Sequence, residues 1–309
     1  MKSFYDIAPV KRLCLLNALI MCMITVPLLG QKKMQDSIDL GQNRKLLHAK
    51  LITGAVYAGS MTALYQAWYR DFPFQRFHMF NDVHEWRGMD KLGHATTSWW
   101  TAQWLFEGQQ LTGLPSKNAL LRSVIVPFCF MSTIEILDGF SSGWGFSMTD
   151  MAANTGGLAL FYFQQKYLNE QRFLLRYSYH SSGLAALRPN LLGANTAERF
   201  LKDYNGQTYW LSYPVKRNSF LYLSLGYSAR GMLGARDNTW LDSSGQLKDY
   251  HFYRRYSKWS LSFDVDLMKL PIRGKAWKWF ASTFRWVKFP LPAINWSNPK
   301  GFQFSPFYF

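Results

Sequence analysis

Three polar pairs interrupt an otherwise apolar stretch of this chain. Asp90 and His94 lie four residues apart, Glu135 and Asp138 three apart, and Asp150 and Asn154 again four apart. Spacings of three and four put two side chains on one face of a helix. Oxygen ligands joined by one imidazole suit Mg²⁺, Mn²⁺ or Zn²⁺. A carboxylate that orients a histidine can equally make it a general base. Asp90, His94, Glu135 and Asp138 are therefore the candidate catalytic groups. Lys91, Asp150 and Asn154 are the candidates for holding a substrate, and a divalent metal is a possible cofactor of unspecified identity.

Each residue also has a plainer use. Asp90 could cap a helix. Ser147-Met148-Thr149-Asp150 has the form of a capping box. A single histidine is more often a satisfied core residue than a ligand. Glu135 and Asp138 stand apart, because acids at a helix C-terminus oppose the macrodipole. A cost with no local return asks for a partner, such as Lys91, a metal or a cationic substrate.

The elements that carry these groups read as four helices, over about 46–69, 90–110, 117–138 and 149–168. Pro73, then Gly113 with Pro115, then Gly139 to Gly145 separate them. Short connections make consecutive helices antiparallel. Asp90, Asp138 and Asp150 would then share one end of an up-down bundle. The uncharged runs Leu92–Phe106, Ser123–Ile134 and Met151–Phe163 hold 15, 12 and 13 residues. A spanning helix needs about 20. The expected architecture is α+β: a membrane-associated four-helix bundle over 46–170, then a β-rich, aromatic, basic half over 171–309.

In that second half the pattern changes to period two. Trp259, Leu261, Phe263, Val265 and Leu267 alternate with Ser260, Ser262, Asp264 and Asp266, as in a half-buried strand. Leu221 to about Gly231 is a further strand, and Thr208–Val215 and Trp277–Lys288 are weaker ones. The aromatic C-terminus ending at Phe309 resembles the terminal strand of bacterial outer-membrane β proteins. Five or six strands fall short of the eight of the smallest barrels. A small sheet and a barrel both stand.

The N-terminus starts basic (Lys2, Lys11, Arg12), runs uncharged from Leu13 to Gly30 and turns polar at Gln31. This reads as a signal peptide over 1–30, then a linker over 31–45. An uncleaved anchor is the alternative, since 18 residues could just span a bilayer. Removal of the segment would leave Cys129 as the lone cysteine, which argues against a disulfide or a Cys-based zinc site. Leu19-Ile20-Met21 before Cys22 is a poor lipidation signal.

Aromatic residues make up 17% of the chain, a bias suited to a membrane interface. The net charge of +16 is uneven. Residues 171–309 hold 20 Lys and Arg against 7 Asp and Glu, a net +13. A membrane lipid or an anionic envelope glycolipid suits this half, as do other envelope proteins. Nucleic acid ranks last, for want of a recognition motif.

Trp86-Arg87-Gly88-Met89-Asp90-Lys91-Leu92-Gly93-His94 is followed by Glu135-Ile136-Leu137-Asp138-Gly139. Then comes Gly143-Trp144-Gly145-Phe146-Ser147-Met148-Thr149-Asp150, with Asn154 and Gly157. This series resembles the YfiM-like family of envelope proteins and, in fewer features, the VanZ-like membrane proteins. The stretch Asp203–Ser212, the stretch Gly226–Met232 and the aromatic C-terminus resemble the extension of longer Bacteroidetes-type members. The resemblance implies an exported protein of the cell envelope, at the outer membrane or its periplasmic face, and supplies no activity. Two functions follow. One is a scaffold or assembly factor whose polar residues fix helix packing. The other is a metal-dependent or acid/base enzyme acting on an envelope lipid or glycan.

Overall fold

The computed structural model describes residues 40–70, 72–242 and 244–308. The signal segment, most of the linker and Phe309 lie outside the described residues. Four long helices occur where the helical spacing predicts them: α1 (Leu40–Leu64, prolonged by a π-turn over Tyr65–Tyr69), α2 (Met89–Gln110), α3 (Ser116–Gly139) and α4 (Met148–Leu168). Short helices α5 (Pro189–Leu192), α6 (Thr196–Lys202) and α7 (Lys275–Thr283) follow among eight strands. The fold class is α+β. Residues 277–288 are a correction, because α7 takes most of the expected strand. Trp277, Phe280, Ala281 and Phe284 recur at helical spacing, and Trp277 and Phe284 both pack on Phe280.

The chain forms two units. The first comprises the described part of Met1–Asn81 with Thr101–Met151; the second comprises Asp82–Trp100 with Ala152–Phe309. In the first, α1 packs along α3 through Tyr57, Met61, Tyr69 and Leu137. Burial of each such side chain is worth roughly 1.5–3 kcal/mol. The Tyr57 hydroxyl donates to Thr133 Oγ1 (3.0 Å). Residues 72–80 then wrap the end of α3. His78 N–H donates to the Gly139 carbonyl and Phe80 N–H to that of Phe146. Gly139 allows this, since a Cβ there would strike the Phe77 ring.

In the second unit, β1 (Leu174–Tyr179), β2 (Gln207–Pro214), β3 (Leu221–Arg230), β6 (Tyr256–Val265), β7 (Leu291–Ser297) and β8 (Gly301–Tyr308) form one antiparallel sheet in that order. The hairpin of β4 (Thr239–Leu241) and β5 (Leu247–Asp249) stands beside it. The sheet curls. Tyr308 on the last strand packs on Trp210 of the second, ring centroids 5.4 Å apart, and lies 3.2 Å from the Thr208 hydroxyl.

The two faces of this sheet are inverted relative to a soluble β domain. On β6 the apolar side chains point outward, with Trp259, Leu261 and Phe263 at 44, 46 and 50% exposure. The polar ones point inward, with Ser260, Ser262 and Asp264 at 1, 3 and 0%. The expected alternation is therefore present, but its polar face is the buried one. Polar pairs run through the interior: Arg176 meets Asp264 at 3.2 Å, Arg285 meets Asp266 at 2.7 Å, and Ser260 donates to Asn295 at 2.6 Å. Lys288 Nζ donates to the carbonyls of Phe263 and Phe289.

Register sorts the outward face into rows. Tyr177, Tyr209, Tyr227, Trp259, Trp296 and Phe302 are successive cross-strand neighbours, one aromatic residue on each of six strands. The next row is Leu175, Leu211, Leu225, Leu261, Ile294 and Phe304. The β1 end of the aromatic row is covered by Phe200 and Trp286, whereas Trp259, Trp296 and Phe302 are exposed.

Candidate functional site: a polar joint at the start of helix α2

The approach to α2 has unusual geometry. Trp86, Arg87 and Gly88 have φ of 47, 52 and 78°, in the left-handed region. Such a run costs free energy at the two non-glycine residues and persists only where its surroundings hold it. Here they do. Trp86 N–H donates to the Ala235 carbonyl (2.8 Å), and its indole packs on Tyr204. The same indole shares a core with Met89, Leu192, Met232 and Leu233. The Arg87 carbonyl accepts from the Tyr227 hydroxyl (2.7 Å), and Arg87 Nε donates to Ser257 (3.0 Å).

The loop thereby delivers Asp90 into a ring of partners. Asp90 Oδ1 accepts from the Tyr204 hydroxyl at 2.7 Å, and Oδ2 accepts from Lys91 at 3.0 Å. Lys91 also meets the buried Asp82 at 2.7 Å. His94 Nε2 lies 3.7 Å from Asp90 Oδ1. Its Nδ1 lies 3.2 Å from Asn154 Oδ1, which also accepts from Ser98 at 3.0 Å. Burial alone would raise the Asp90 carboxyl. The charges of His94 and Lys91 and the Tyr204 hydroxyl outweigh it and hold the group below its ordinary value.

Two glycines set the spacing. A Cβ on Gly93 would lie 2.9 Å from the Tyr209 hydroxyl, and one on Gly157 would strike the Ala95 carbonyl. The glycines press α2 against β2 and against α4. Gly157 thus acts in close packing, and Asn154, one turn before it, reaches His94. Asn154 is fully buried, and its Nδ2 has no hydrogen-bond partner among the described residues.

Of the residues expected from the sequence, Asp90, Lys91, His94 and Asn154 are brought together here. Glu135, Asp138 and Asp150 belong to the first unit. There Asp138 accepts from the Tyr69 hydroxyl at 2.7 Å, a partner the spacing did not suggest. Burial first, and Asp138 second, raise that hydroxyl well above its ordinary pKa, so Tyr69 stays a donor. Glu135 is buried. The backbone N–H of Asp150 donates to Ser147 Oγ at 3.0 Å, the capping contact expected of that tetrad. Sequence reasoning missed Asp82, Ser98 and Tyr204 as members of the joint. Tyr204 lies within the Asp203–Ser212 stretch, but nothing in the spacing ties it to a residue 114 positions away.

This chain is an α+β protein whose polar joint binds a strained loop, two helices and a sheet. Residues 79–166 match the family described as "Predicted periplasmic lipoprotein (DUF2279)". The match supports an exported envelope protein of uncharacterised activity. No curated protein and no solved structure matches the chain.

Proposed function

We propose that the chain is a non-catalytic scaffold or assembly protein of the outer membrane, on its periplasmic side, seated by the outward face of its sheet against the acyl chains of one leaflet. The observation that carries this is the inverted sheet. An aqueous sheet hides its apolar face, and one facing hydrocarbon turns it out. The outward rows on β3 and β6, from Tyr227 to Leu221 and from Trp259 to Val265, extend about 20 Å at 3.3 Å per residue. Tilted strands would reach less deep, which suits one leaflet of a hydrocarbon core about 30 Å thick. The exposed part of the aromatic row, Trp259, Trp296 and Phe302, would lie at the headgroup level, where aromatic side chains are favoured. In this reading the polar joint is structural. Both Asp90 oxygens are occupied from within the chain, and such networks fix one packing over others.

The test is retention on vesicles of neutral phosphatidylcholine. The protein is expected to float with them and to stay bound in 1 M salt, where screening removes a purely electrostatic attachment. Release of most of the protein by salt alone would defeat the proposal.

One observation favours a second reading, an acid/base or metal-dependent enzyme acting on an envelope lipid or glycan. Asn154 Nδ2 is buried beside His94 with no partner among the described residues, an arrangement that suits a group yet to arrive. A divalent cation at Asp90 would have to displace Lys91. Stoichiometric Mg²⁺, Mn²⁺ or Zn²⁺ in the purified protein, lost in His94→Ala, would establish this reading over the first.

A further inference from the structure

A cavity of about 440 Å³ opens at the end of the sheet just beyond the aromatic row. Its lining is cationic. Arg230 ends β3, Arg254 precedes β6 and Lys300 sits in the turn between β7 and β8, while His180, which follows β1, accepts from Arg230 at Nε2 (3.4 Å). His180 and Arg230 each lie three residues past a member of the row, Tyr177 and Tyr227, or about 10 Å along the strand. Arg230 is fixed in place. It donates to the carbonyls of Gln207 and Ala229 (3.2 and 3.1 Å) and to the Tyr308 hydroxyl (3.4 Å). Arg254, Lys300 and Ser181 are exposed at the rim. Among the described residues, no Asp or Glu lines the cavity. Asp203 lies behind it, buried, and its oxygens accept from Ser182 and Asn205.

We propose that this cavity binds a phosphate group, presented by a lipid headgroup at the surface in which the sheet is seated. The lining supplies what a phosphate requires: guanidinium and ammonium groups from a strand end, a loop and a turn around one cavity, with serine hydroxyls beside them. The position supplies the source. Side chains one turn of strand beyond an interfacial aromatic row lie at headgroup depth. The volume admits a headgroup and leaves the acyl chains outside, along the outward face. The +13 of residues 171–309 then has a local use, at a site that faces lipid phosphate. This rests on the seated-sheet reading, and the experiment separates the two.

The protein in dodecyl maltoside micelles is titrated with radiolabelled phosphatidic acid, with diacylglycerol and with inorganic phosphate. One saturable site for phosphatidic acid is expected, with diacylglycerol not bound and inorganic phosphate competing only at much higher concentration. Arg254→Gln with Lys300→Gln should weaken the lipid at least about tenfold, the usual scale for losing charge-assisted bonds. Both residues are exposed, so the fold is retained, and the melting temperature of the double variant in the same micelles should match the parent's. Unchanged affinity in the double variant, or equal binding of diacylglycerol, overturns the proposal. Phosphatidic acid binding no tighter than inorganic phosphate overturns the lipid as its source. If flotation of the parent fails while the site binds, the seated sheet falls and the pocket stands. If flotation holds while the site does not bind, the pocket alone falls.

Discussion

The helical core of the first unit and the sheet of the second solve burial in opposite ways. Between α1 and α3 the interior is Tyr57, Met61, Tyr69 and Leu137, and polar groups enter mainly as hydroxyls with a near partner. Within the sheet the interior holds Arg176, Asp264, Asp266, Lys288, Asn295 and a set of serines beside a small apolar cluster of Trp210, Ala293 and Tyr308, while Leu223, Leu225, Leu261, Trp259 and Trp296 face out. The first arrangement gains stability by removing apolar surface from water. The second gains less in this way, because much of the apolar face of its sheet is exposed. It must be held by paired charges and hydrogen bonds within, and by whatever covers the outer face. A polar interior of this kind has many ways to fail, since each group left without its partner retains its full desolvation cost.

The largest effect should come from breaking the interior. Arg176→Met removes the guanidinium from the buried Asp264, leaving it only the Val265 and Phe289 N–H groups and Ser212, and should cost about 3–5 kcal/mol, read as a fall in the denaturant midpoint in detergent. A change under 1 kcal/mol, by that same scale, would mean that the polar interior is not what holds the sheet.

Next comes the outer face. Leu261→Arg puts a charge in the middle of the aliphatic row. Against hydrocarbon this should cost about 2–4 kcal/mol in lipid vesicles. Against water it should be neutral, as surface changes usually are. Equal stability of Leu261→Arg and the parent in vesicles would reverse the comparison and return the sheet to an aqueous setting.

The joint gives a smaller, pH-dependent effect. The Asp90 carboxyl lies below its ordinary value in the fold. Its contribution is therefore present above the unfolded value, about 3.9, and is lost as pH falls through the lower folded value. Asp90→Asn should lower the melting temperature at pH 7, and the gap from the parent should close in acid. A gap that persists unchanged below that window would show that Asp90 acts through shape and not charge. Tyr69→Phe should be the mildest change, about 1 kcal/mol for one hydrogen bond to Asp138, measured by thermal melts. A loss several times larger would reveal that Asp138 depends on Tyr69 for its burial.

The helices were legible because 3.6-residue spacing and Pro or Gly boundaries are local properties. The helical start at Asp90, the end at Asp138 and the capping contact of Ser147 follow from the chain within a few residues. The strands of 207–214, 221–230 and 256–265 were legible for the same reason, since alternation needs no partner to be seen. The segment 277–288 was misread as a strand because its dense aromatics mask a helical period over so short a run.

Local order determined which side chains share a face, and it could not determine which face is inside. Trp259, Leu261 and Phe263 alternate with Ser260, Ser262 and Asp264 in either case. The choice fell to Arg176 on β1 and Asn295 on β7, which meet Asp264 and Ser260 of β6, and to Lys288 before β7, which donates to the Phe263 carbonyl, all with the sheet curled polar side inward. The joint divides in the same way. Asp90 and His94 are paired by helical spacing alone. Tyr204, Asp82 and Asn154 join them only through long-range folding, which is what turns a helix-face pair into a network.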